Sequence, residues 1–323
     1  MLEQTSRQYY ESALSQLQPS HSYKAWGRSQ WANWRDELTF VLKKLLTMEQ
    51  VEVVPLAPQT VHQEEWAAVF FERILISTEA MVRMPVNLYR PKSGYPPYPA
   101  LLFLHGHKAS LNVAATFASY GYLVIAPMQR GFDKRSLSGQ SGTVTCSQEF
   151  QLLGQLGMNL TGLRLFDAQC AVDYLLSRSD VVSDQIGVIG WELGGDIALF
   201  LAGFDTRIMV TIANGALTSP AGHLNSEKRC VCDTVPGLFL YADPADIAGL
   251  IAPRPLLIET PQSSFELPLD EVLSSFKSVG TIYASLDSAA NLDLDVYPGQ
   301  EIRYSDKKAI KFLYKFLINR AFT

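Results

Sequence analysis

The sequence predicts an α/β fold in which helices flank a mostly parallel central sheet, and three observations support this prediction. Short, nearly continuous apolar runs recur along the chain, which is the pattern of strands buried on both faces. Stretches of helical composition separate these runs, and that alternation is typical of parallel sheets. The 323 residues are 47% hydrophobic and 18% charged. A chain of this size and composition can bury one large core, so we expect one elaborated structural unit.

The N-terminal region is expected to be a helical extension, residues 1–65, that packs on a body formed by residues 66–323. Residues 3–48 have helical composition, and their large apolar side chains are spaced to cover one surface. We assign these side chains to core packing rather than to a ligand pocket. They are Trp26, Trp31, Trp34, Leu38, Phe40, Val41, Leu42 and Leu45.

The body is expected to open with an antiparallel pair of strands at 66–76 and 81–89, because apolar and polar side chains alternate in the second segment. A long insertion at 214–250, punctuated by glycine and proline, is expected to cover part of the site. Buried strands and helices are predicted in the rest of the body. The strands are 100–104, 122–126, 185–189, 208–212, 255–259 and 292–296, and the helices lie near 111–119, 160–177, 194–203 and 305–319.

A glycine-rich turn joins the predicted strand at 185–189 to the helix that follows it. Residues 190–195 read Gly-Trp-Glu-Leu-Gly-Gly, which matches the G-x-S-x-G nucleophile elbow except that Glu192 replaces the serine. The glycines suit a strained turn whose helix must pack closely against the sheet. These letters alone are equally typical of an ordinary strand-to-helix turn with a solvated glutamate.

Three further segments accompany this turn. Residues 104–107 read Leu-His-Gly-His after a buried strand, residues 162–167 read Gly-Leu-Arg-Leu-Phe-Asp, and residues 252–257 read Ala-Pro-Arg-Pro-Leu-Leu before a late strand. Together with the turn at 190–195, they resemble the α/β-hydrolase superfamily, and within it the dienelactone-hydrolase-like and acetyl-xylan-esterase-like branch. The resemblance runs from residue 66 to the C-terminus and implies the α/β-hydrolase fold.

The resemblance also implies a serine nucleophile at the turn, an acid after a late strand and a histidine in the last loop. The corresponding residues of this chain are Glu192, Ser264 and Gln300. A serine needs an imidazole to remove its proton, and the imidazole needs a carboxylate to hold its tautomer. Because all three members differ, we expect that the chain is not a Ser-His-Asp esterase.

Our main hypothesis from the sequence is an enzyme that keeps the pocket but has abandoned hydrolysis. Glu192 would act as general acid or base on a small carbonyl compound, as in a cyclase, isomerase, dehydratase or lyase, with Gln300 and Ser264 as hydrogen-bonding partners. Two alternatives remain open. The protein is a catalytically silent binding or structural protein, or it is a hydrolase in which Glu192 is the nucleophile or activates water.

Substrate contacts are predicted at the turn and at the strand ends near it. The N–H of Leu193 and a second N–H near His107 are expected to stabilise an oxygen anion. Arg130 is a further candidate, since ligands of such sheets lie at the carboxyl ends of the strands. Trp191 in the turn and Tyr241 in the insertion at 214–250 are two more.

Structural roles are assigned to three other polar residues near these segments. His105 is expected to be a packed imidazole at a strand end. Arg164 and Asp167 lie at helical i, i+3 spacing and are expected to form an ion pair.

The charge pattern restricts the expected partners to a small-molecule substrate. The formal net charge is −5, and lysine and arginine are scattered singly, which disfavours nucleic acid and anionic membranes as ligands. No apolar leader opens the chain and no apolar run is long enough to span a bilayer, so a cytoplasmic location is expected. Assembly into a homo-oligomer is left open.

The four cysteines are expected to be reduced, because the chain is long and lacks a recognisable signal peptide. They are Cys146, Cys170, Cys230 and Cys232. The Cys230-Val231-Cys232 segment has no obvious histidine or cysteine partner nearby in the sequence, so we do not predict a zinc site there. No metal and no cofactor is expected.

Overall fold

A nine-stranded sheet forms the centre of the protein in the computed structural model, which describes residues 5–26, 28–107, 113–226, 229–303 and 306–319. The strand order is β1-β2-β3-β5-β4-β6-β7-β8-β9. The strands from β4 to β9 run parallel, and β1, β2 and β3 extend the sheet with antiparallel pairing. The strands are β1 Gln59–Glu65, β2 Val69–Glu79, β3 Val82–Pro91, β4 Tyr98–Leu104, β5 Leu123–Pro127, β6 Val181–Trp191, β7 Val210–Asn214, β8 Leu256–Pro261 and β9 Leu292–Tyr297.

Helices cover both faces of this sheet. Successive side chains of the central strand β4 belong to different cores, since Leu102 and Leu104 pack in one core and Leu101 and Phe103 in the other. The helices are α1 Ser6–Ser15, α2 Trp31–Leu45, α3 Val113–Ser119, α4 Cys146–Gln155, α5 Leu160–Leu176, α6 Leu193–Phe204, α7 Pro220–Asn225, α8 Pro244–Gly249, α9 Leu269–Ser285 and α10 Asp306–Leu313, which continues as a π-helical turn over Tyr314–Ile318.

The predicted fold class is confirmed, because the buried strands and the helices expected between them are present with end shifts of a few residues. One element differs from the prediction. Residues 59–65 form β1 and pair with β2, although they were assigned to the helical extension. Every residue of β1 is exposed, so its sequence carries no apolar alternation that would mark a strand.

The N-terminal helix α2 packs its apolar face on the body. Trp34, Leu38 and Leu42 are fully buried, and the indole N–H of Trp34 donates to the carbonyl of His21 at 2.7 Å. This confirms the assignment of these side chains to the core. Phe40 is the exception, since it is 55% exposed. None of the helices in the described part of the chain combines the length and apolar character that a membrane span requires.

The first turn of α5 lies directly against Leu46, which follows the last residue of α2. A methyl group added at Gly162 would sit 1.8 Å from the carbonyl oxygen of Leu46, and the Gly162 N–H is already held by the Asn159 side chain at 3.1 Å. The close approach of two backbones therefore requires glycine at this position.

We expect Gly162→Ala to lower the free energy of unfolding by about 1–3 kcal/mol, because α5 must move away from Leu46. Gly154→Ala is the matched control: Gly154 lies in the exposed part of α4 with no atom near an added methyl group. That change should raise stability by about 0.5–1 kcal/mol. Urea denaturation measures both, and an equal effect of the two substitutions would contradict the packing described.

Candidate functional site

Glu192 occupies the tip of the turn between β6 and α6. Its backbone has φ 54° and ψ −120°, a left-handed conformation that is costly for a residue with a side chain. The surrounding hydrogen bonds hold it there, since its N–H donates to the carbonyl of Asn214 at 2.7 Å and its carbonyl accepts from Gly195 at 2.8 Å. The turn is therefore a nucleophile elbow in shape, with an acid at the nucleophile position.

Two glycines of the motif are required by close contact. A methyl group at Gly190 would lie 2.0 Å from the carbonyl oxygen of Gly194, and one at Gly194 would lie 2.0 Å from the carbonyl oxygen of Leu104. The backbone of the elbow thus lies against the end of β4, and side chains cannot be accommodated at these positions.

His107 contacts both oxygens of the Glu192 carboxylate. The Glu192 Oε2 accepts the backbone N–H of His107 at 2.9 Å, and the Glu192 Oε1 lies 2.9 Å from Nδ1 of the same histidine. The side chain of Glu192 is 17% exposed. The His107 N–H was expected to stabilise a substrate oxygen anion, and the structure shows it bound to the elbow's own carboxylate.

The other side of the His107 ring faces sulfur. Its Nε2 lies 3.4 Å from the Cys146 Sγ and 3.3 Å from the Cys232 Sγ. The Sγ atoms of Cys146 and Cys230 are 3.7 Å apart. Burial acts to lower the pKa of His107, but the contacts with Cys146, Cys230 and Glu192 outweigh it and raise the pKa to about 12.

The expectation that the Cys230–Cys232 segment lacks partners is therefore wrong. His107 and Cys146 come from two other segments, which the fold brings to the insertion at 214–250. Sequence reasoning missed this group because it considered spacing along the chain. One signal was available from the sequence. The histidine and three of the four cysteines fall in segments that the predicted fold places near the elbow in space, although they are far from it along the chain.

A cleft of about 460 Å³ opens beside Glu192. Glu192, Ser264 and Gln300 all line it. The hydroxyl of Ser264 is occupied locally, since it accepts the N–H groups of Glu266 and Leu267 at 3.1 and 3.2 Å. The remaining lining residues are Trp191, Phe265, Glu266, Glu301, Ile302 and Arg303.

The other predicted substrate contacts differ in their placement. Trp191 lines the cleft, whereas Leu193 is buried and offers it no side chain. The N–H of Leu193 still belongs to the first turn of α6, where backbone N–H groups lack acceptors within the helix. Tyr241 lies beside His21 and accepts the N–H of His21 at its carbonyl oxygen, away from the cleft.

Arg130 is likewise absent from the cleft lining and forms a buried ion-pair group. Its guanidinium donates to Asp167 at 2.9 and 3.0 Å and contacts Glu79, and Arg135 also donates to Asp167 at 2.8 Å. Burial opposes ionisation of Asp167, but the two guanidinium groups outweigh it and lower the pKa. The expected Arg164–Asp167 pair is wrong, because Arg130 and Arg135 hold Asp167 instead.

His105 has the structural role predicted for it. Its Nε2 accepts the N–H of Gln129 at 3.0 Å, and its Nδ1 lies 3.0 Å from the carbonyl oxygen of Gly106. Burial lowers the pKa of this imidazole to about 4, so it is neutral and supports the loop after β4.

The insertion at 214–250 packs beside the elbow helix. Arg229 forms a buried ion pair with Asp196 in the first turn of α6. An apolar cavity of about 160 Å³ lies between α6 and this segment, lined among others by Phe200 and Phe239. The insertion thus encloses one side of the elbow and supplies Cys230 and Cys232.

Comparison with known proteins agrees with this architecture. Acetyl xylan esterase 1 of Thermoanaerobacterium sp. JW/SL YS485 has a TM-score of 0.63 at 15% identity, covering 94% of this chain and 98% of that one. A protein of Bacteroides fragilis NCTC 9343, provisionally named an acetyl xylan esterase, has a TM-score of 0.78 at 14% identity, covering 98% and 91%. At these identities the likeness shows the fold alone, which is α/β-hydrolase-like, with a mostly parallel central sheet flanked by helices.

The sequence comparisons are more specific. The family model described as the dienelactone hydrolase family matches residues 84–230, somewhat less than half of the chain. YtaP of Bacillus subtilis (strain 168), provisionally named a hydrolase, is 29% identical over 258 residues, covering 73% of this chain and 83% of YtaP.

These findings correct the main functional hypothesis. A non-hydrolytic cyclase, isomerase, dehydratase or lyase was expected, but the matched family and the similar proteins are hydrolases. The loss of the serine triad had been taken as loss of hydrolysis. The loss of hydrolysis does not follow from the loss of the triad. A hydrolase needs an activated oxygen nucleophile, and a serine is one of several groups that can provide it.

A buried hydrogen-bond chain supports the elbow below the cleft. Asn214, whose carbonyl holds the Glu192 N–H, donates its side-chain amide to Oε2 of Glu259 at 2.9 Å. The Asn214 side chain also accepts the hydroxyl of Tyr297 at 3.0 Å. Glu259 is fully buried, and its Oε1 is unpaired within the described residues. Burial raises the pKa of Glu259 to about 8.

This raised pKa predicts that stability falls as the pH rises between about 4.5 and 8, because the native state holds a proton that the unfolded state has lost. We expect Glu259→Gln to flatten that dependence and to be more stable than the original protein above pH 8. The difference between the two should grow by at most about 1.4 kcal/mol per pH unit. Chemical denaturation at several pH values measures it, and parallel curves would contradict the buried protonated carboxyl.

Proposed function

We propose that this protein is a hydrolase that cleaves an ester bond in the cleft beside the elbow, with the Glu192 carboxylate activating the attacking water. The observation that carries the proposal is the placement of Glu192. It stands at the nucleophile position, keeps part of its surface open and lines the cleft together with Ser264 and Gln300. The hydrolase family match and the hydrolase relative support the reaction class.

The substrate class we propose is a small esterified carbohydrate. Trp191 and Phe265 offer aromatic surface, and Gln300, Glu301 and Arg303 offer amide, carboxylate and guanidinium groups in the same cleft. Such a mixture suits the apolar faces and hydroxyl edges of sugars. Two solved structures with this fold bear the name acetyl xylan esterase, which agrees with a sugar ester.

The contacts of Glu192 favour a base over a covalent nucleophile. Both carboxylate oxygens are held by His107, so the group is fixed. Attack of the carboxylate on the ester carbonyl, with loss of the alcohol, would form a mixed anhydride and disrupt one of these contacts. A base needs only one remaining lone pair directed at a water. Gln300 occupies the position where the family's histidine would assist hydrolysis of a covalent intermediate, and an amide cannot deprotonate water. The N–H of Leu193, at the positive end of α6, is the proposed donor to the developing oxygen anion.

A second candidate function is binding of the same class of ligand without turnover. The observation that favours it is the contact between the His107 N–H and Glu192, because a donor suited to an oxygen anion is already occupied. Substrate entry would then have to displace the carboxylate from this N–H before the donor could act in catalysis.

Glu192→Gln should lower kcat by about 10²- to 10⁴-fold, because the amide cannot accept a proton from water. Glu37→Gln is the control, since it removes the same charge from the exposed side of α2, outside the cleft lining, and should leave kcat unchanged. Release of acetate or methanol from acetylated and methyl-esterified oligosaccharides measures both. Full activity of Glu192→Gln would contradict the assigned base. Binding of these sugars to the unaltered protein with no release would favour the second candidate.

Hydrolysis in ¹⁸O-labelled water distinguishes the two uses of the carboxylate. If Glu192 activates water, the label should enter the acid product in a single turnover while the peptide containing Glu192 stays unlabelled. Mass spectrometry of product and digested protein reads both. Label in the Glu192 side chain, or a hydroxamate at Glu192 after trapping with hydroxylamine during turnover, would show a covalent anhydride and overturn the role of base.

A further inference from the structure

We propose that His107, Cys146, Cys230 and Cys232 bind a structural Zn²⁺ ion behind the elbow. One atom from each of these side chains, an imidazole nitrogen or a sulfur, lies within 4.8 Å of all the others. The residues come from three places: the loop after β4, the first residue of α4 and the insertion at 214–250. This proposal stands independently of the proposed hydrolase activity.

The distances are those of a tetrahedron around zinc. With Zn–S of about 2.3 Å and Zn–N of about 2.0–2.1 Å, ligand atoms in a tetrahedral site are separated by about 3.8 Å for two sulfurs and about 3.6 Å for sulfur and nitrogen. Here the Cys146 and Cys230 sulfurs are 3.7 Å apart, and Nε2 of His107 lies 3.4 and 3.3 Å from Cys146 and Cys232. These three pairs fit with shifts of a few tenths of an ångström, and the remaining pairs, which lie within 4.8 Å, would close by up to about 1 Å.

The groups behind the ligands also match a metal site. Zinc-bound histidines commonly donate their second ring N–H to a carboxylate, which orients the ring. Nδ1 of His107 faces Glu192 in this way, and Nε2 is thereby directed at the sulfurs. The guanidinium of Arg164 donates to both the carbonyl and the sulfur of Cys232, at 3.2 and 3.5 Å. The hydroxyl of Ser147 lies 3.2 Å from the Cys230 sulfur.

The charges balance as a site of this kind requires. Three thiolates and one Zn²⁺ carry a net charge of −1, which the buried guanidinium of Arg164 offsets. Cys146 and Cys232 are 3% and 0% exposed. Four protein ligands complete the tetrahedron and leave no position for water, so the ion would be structural rather than catalytic.

The site accounts for the acid at the elbow. A carboxylate at position 192 can accept the Nδ1–H of a metal-bound His107 while also accepting its backbone N–H, whereas a serine hydroxyl is too short to bridge both. The metal would thus tie the insertion, the loop after β4 and α4 together and fix the orientation of Glu192 towards the cleft. Glu192 is a positioning residue for this site.

A disulfide is the competing use of these sulfurs. The Cys146 and Cys230 sulfurs are 3.7 Å apart, whereas a disulfide bond is about 2.05 Å long, and bonding these two would leave Cys232 and His107 without the shared partner. All four cysteines are free thiols in the structure. The non-reducing digest described below detects disulfide formation.

Protein purified from zinc-supplemented cells without chelators should contain about one Zn²⁺ per chain by plasma mass spectrometry. Cys146→Ser and Cys230→Ser should lose most of it. Cys170→Ser is the matched control, because Cys170 is a buried thiol in α5 outside the cluster, and its zinc content should be unchanged. Zinc retained in both cluster variants, or lost equally in the control, would overturn the ligand set.

Measurements on the unaltered protein keep the proposal testable if the variants fail to fold. Zinc-edge X-ray absorption should show three sulfur neighbours and one nitrogen, and Co²⁺ substitution should give the thiolate charge-transfer bands of a tetrahedral site. Absence of zinc, iron in its place, or a Cys146–Cys230 disulfide in a non-reducing digest would each overturn the proposal.

Glu192→Gln should weaken zinc binding by about 10- to 100-fold in competition with a chromophoric chelator, as loss of a carboxylate behind a metal-bound histidine does elsewhere. Glu301→Gln should leave the affinity unchanged. Assaying Glu192→Gln for hydrolysis with its zinc content measured separates the two roles of the residue. An unchanged zinc affinity would remove Glu192 from the metal site without affecting its proposed role in the cleft.

Discussion

The pairing of the Glu192 carboxylate with His107 is the constraint on which the site depends. Glu192 is held in a strained backbone conformation at the tip of the elbow, and its side chain is largely buried. A carboxylate in that position is costly unless both oxygens are satisfied. The backbone N–H and the ring of one residue provide this, and in doing so they join the loop after β4 to the turn after β6.

That pairing gives the carboxylate two sides with different surroundings. One side faces the cleft where a substrate can be reached, and the other faces an imidazole whose second nitrogen contacts two sulfurs. Glu192 therefore connects the cleft to His107 and, through its ring, to the cysteines. The proposed hydrolysis and the proposed zinc site both involve this side chain. In the first Glu192 activates water, and in the second it orients His107.

The resemblance to hydrolases predicted the fold correctly, but the reaction class drawn from the missing triad residues was wrong. The four motifs correctly indicated the α/β-hydrolase fold, whereas the roles assigned to Glu192, Ser264 and Gln300, which line one cleft, stay predictions. The conclusion that hydrolysis was absent did not follow, because it treated one mechanism as equivalent to one reaction class. Arg130 is predicted at the site from its position after a strand end and Tyr241 from its position in the insertion at 214–250, yet neither lines the cleft. The charge of Arg130 is used by Asp167 and Glu79.

What the sequence determined by itself was local: apolar runs long enough for buried strands, helical spacing around Trp34, and the glycines that let β6 turn into α6. These follow from periodicity and from backbone sterics, which act over a few residues. Only the tertiary structure decided which side chains meet. His107 reaches sulfurs 39 and 125 residues away, and the polar strand β1 pairs only because β2 offers it an edge. Such contacts depend on where loops from different strands meet in space. The number of residues between two positions along the chain does not determine the distance between them in the fold.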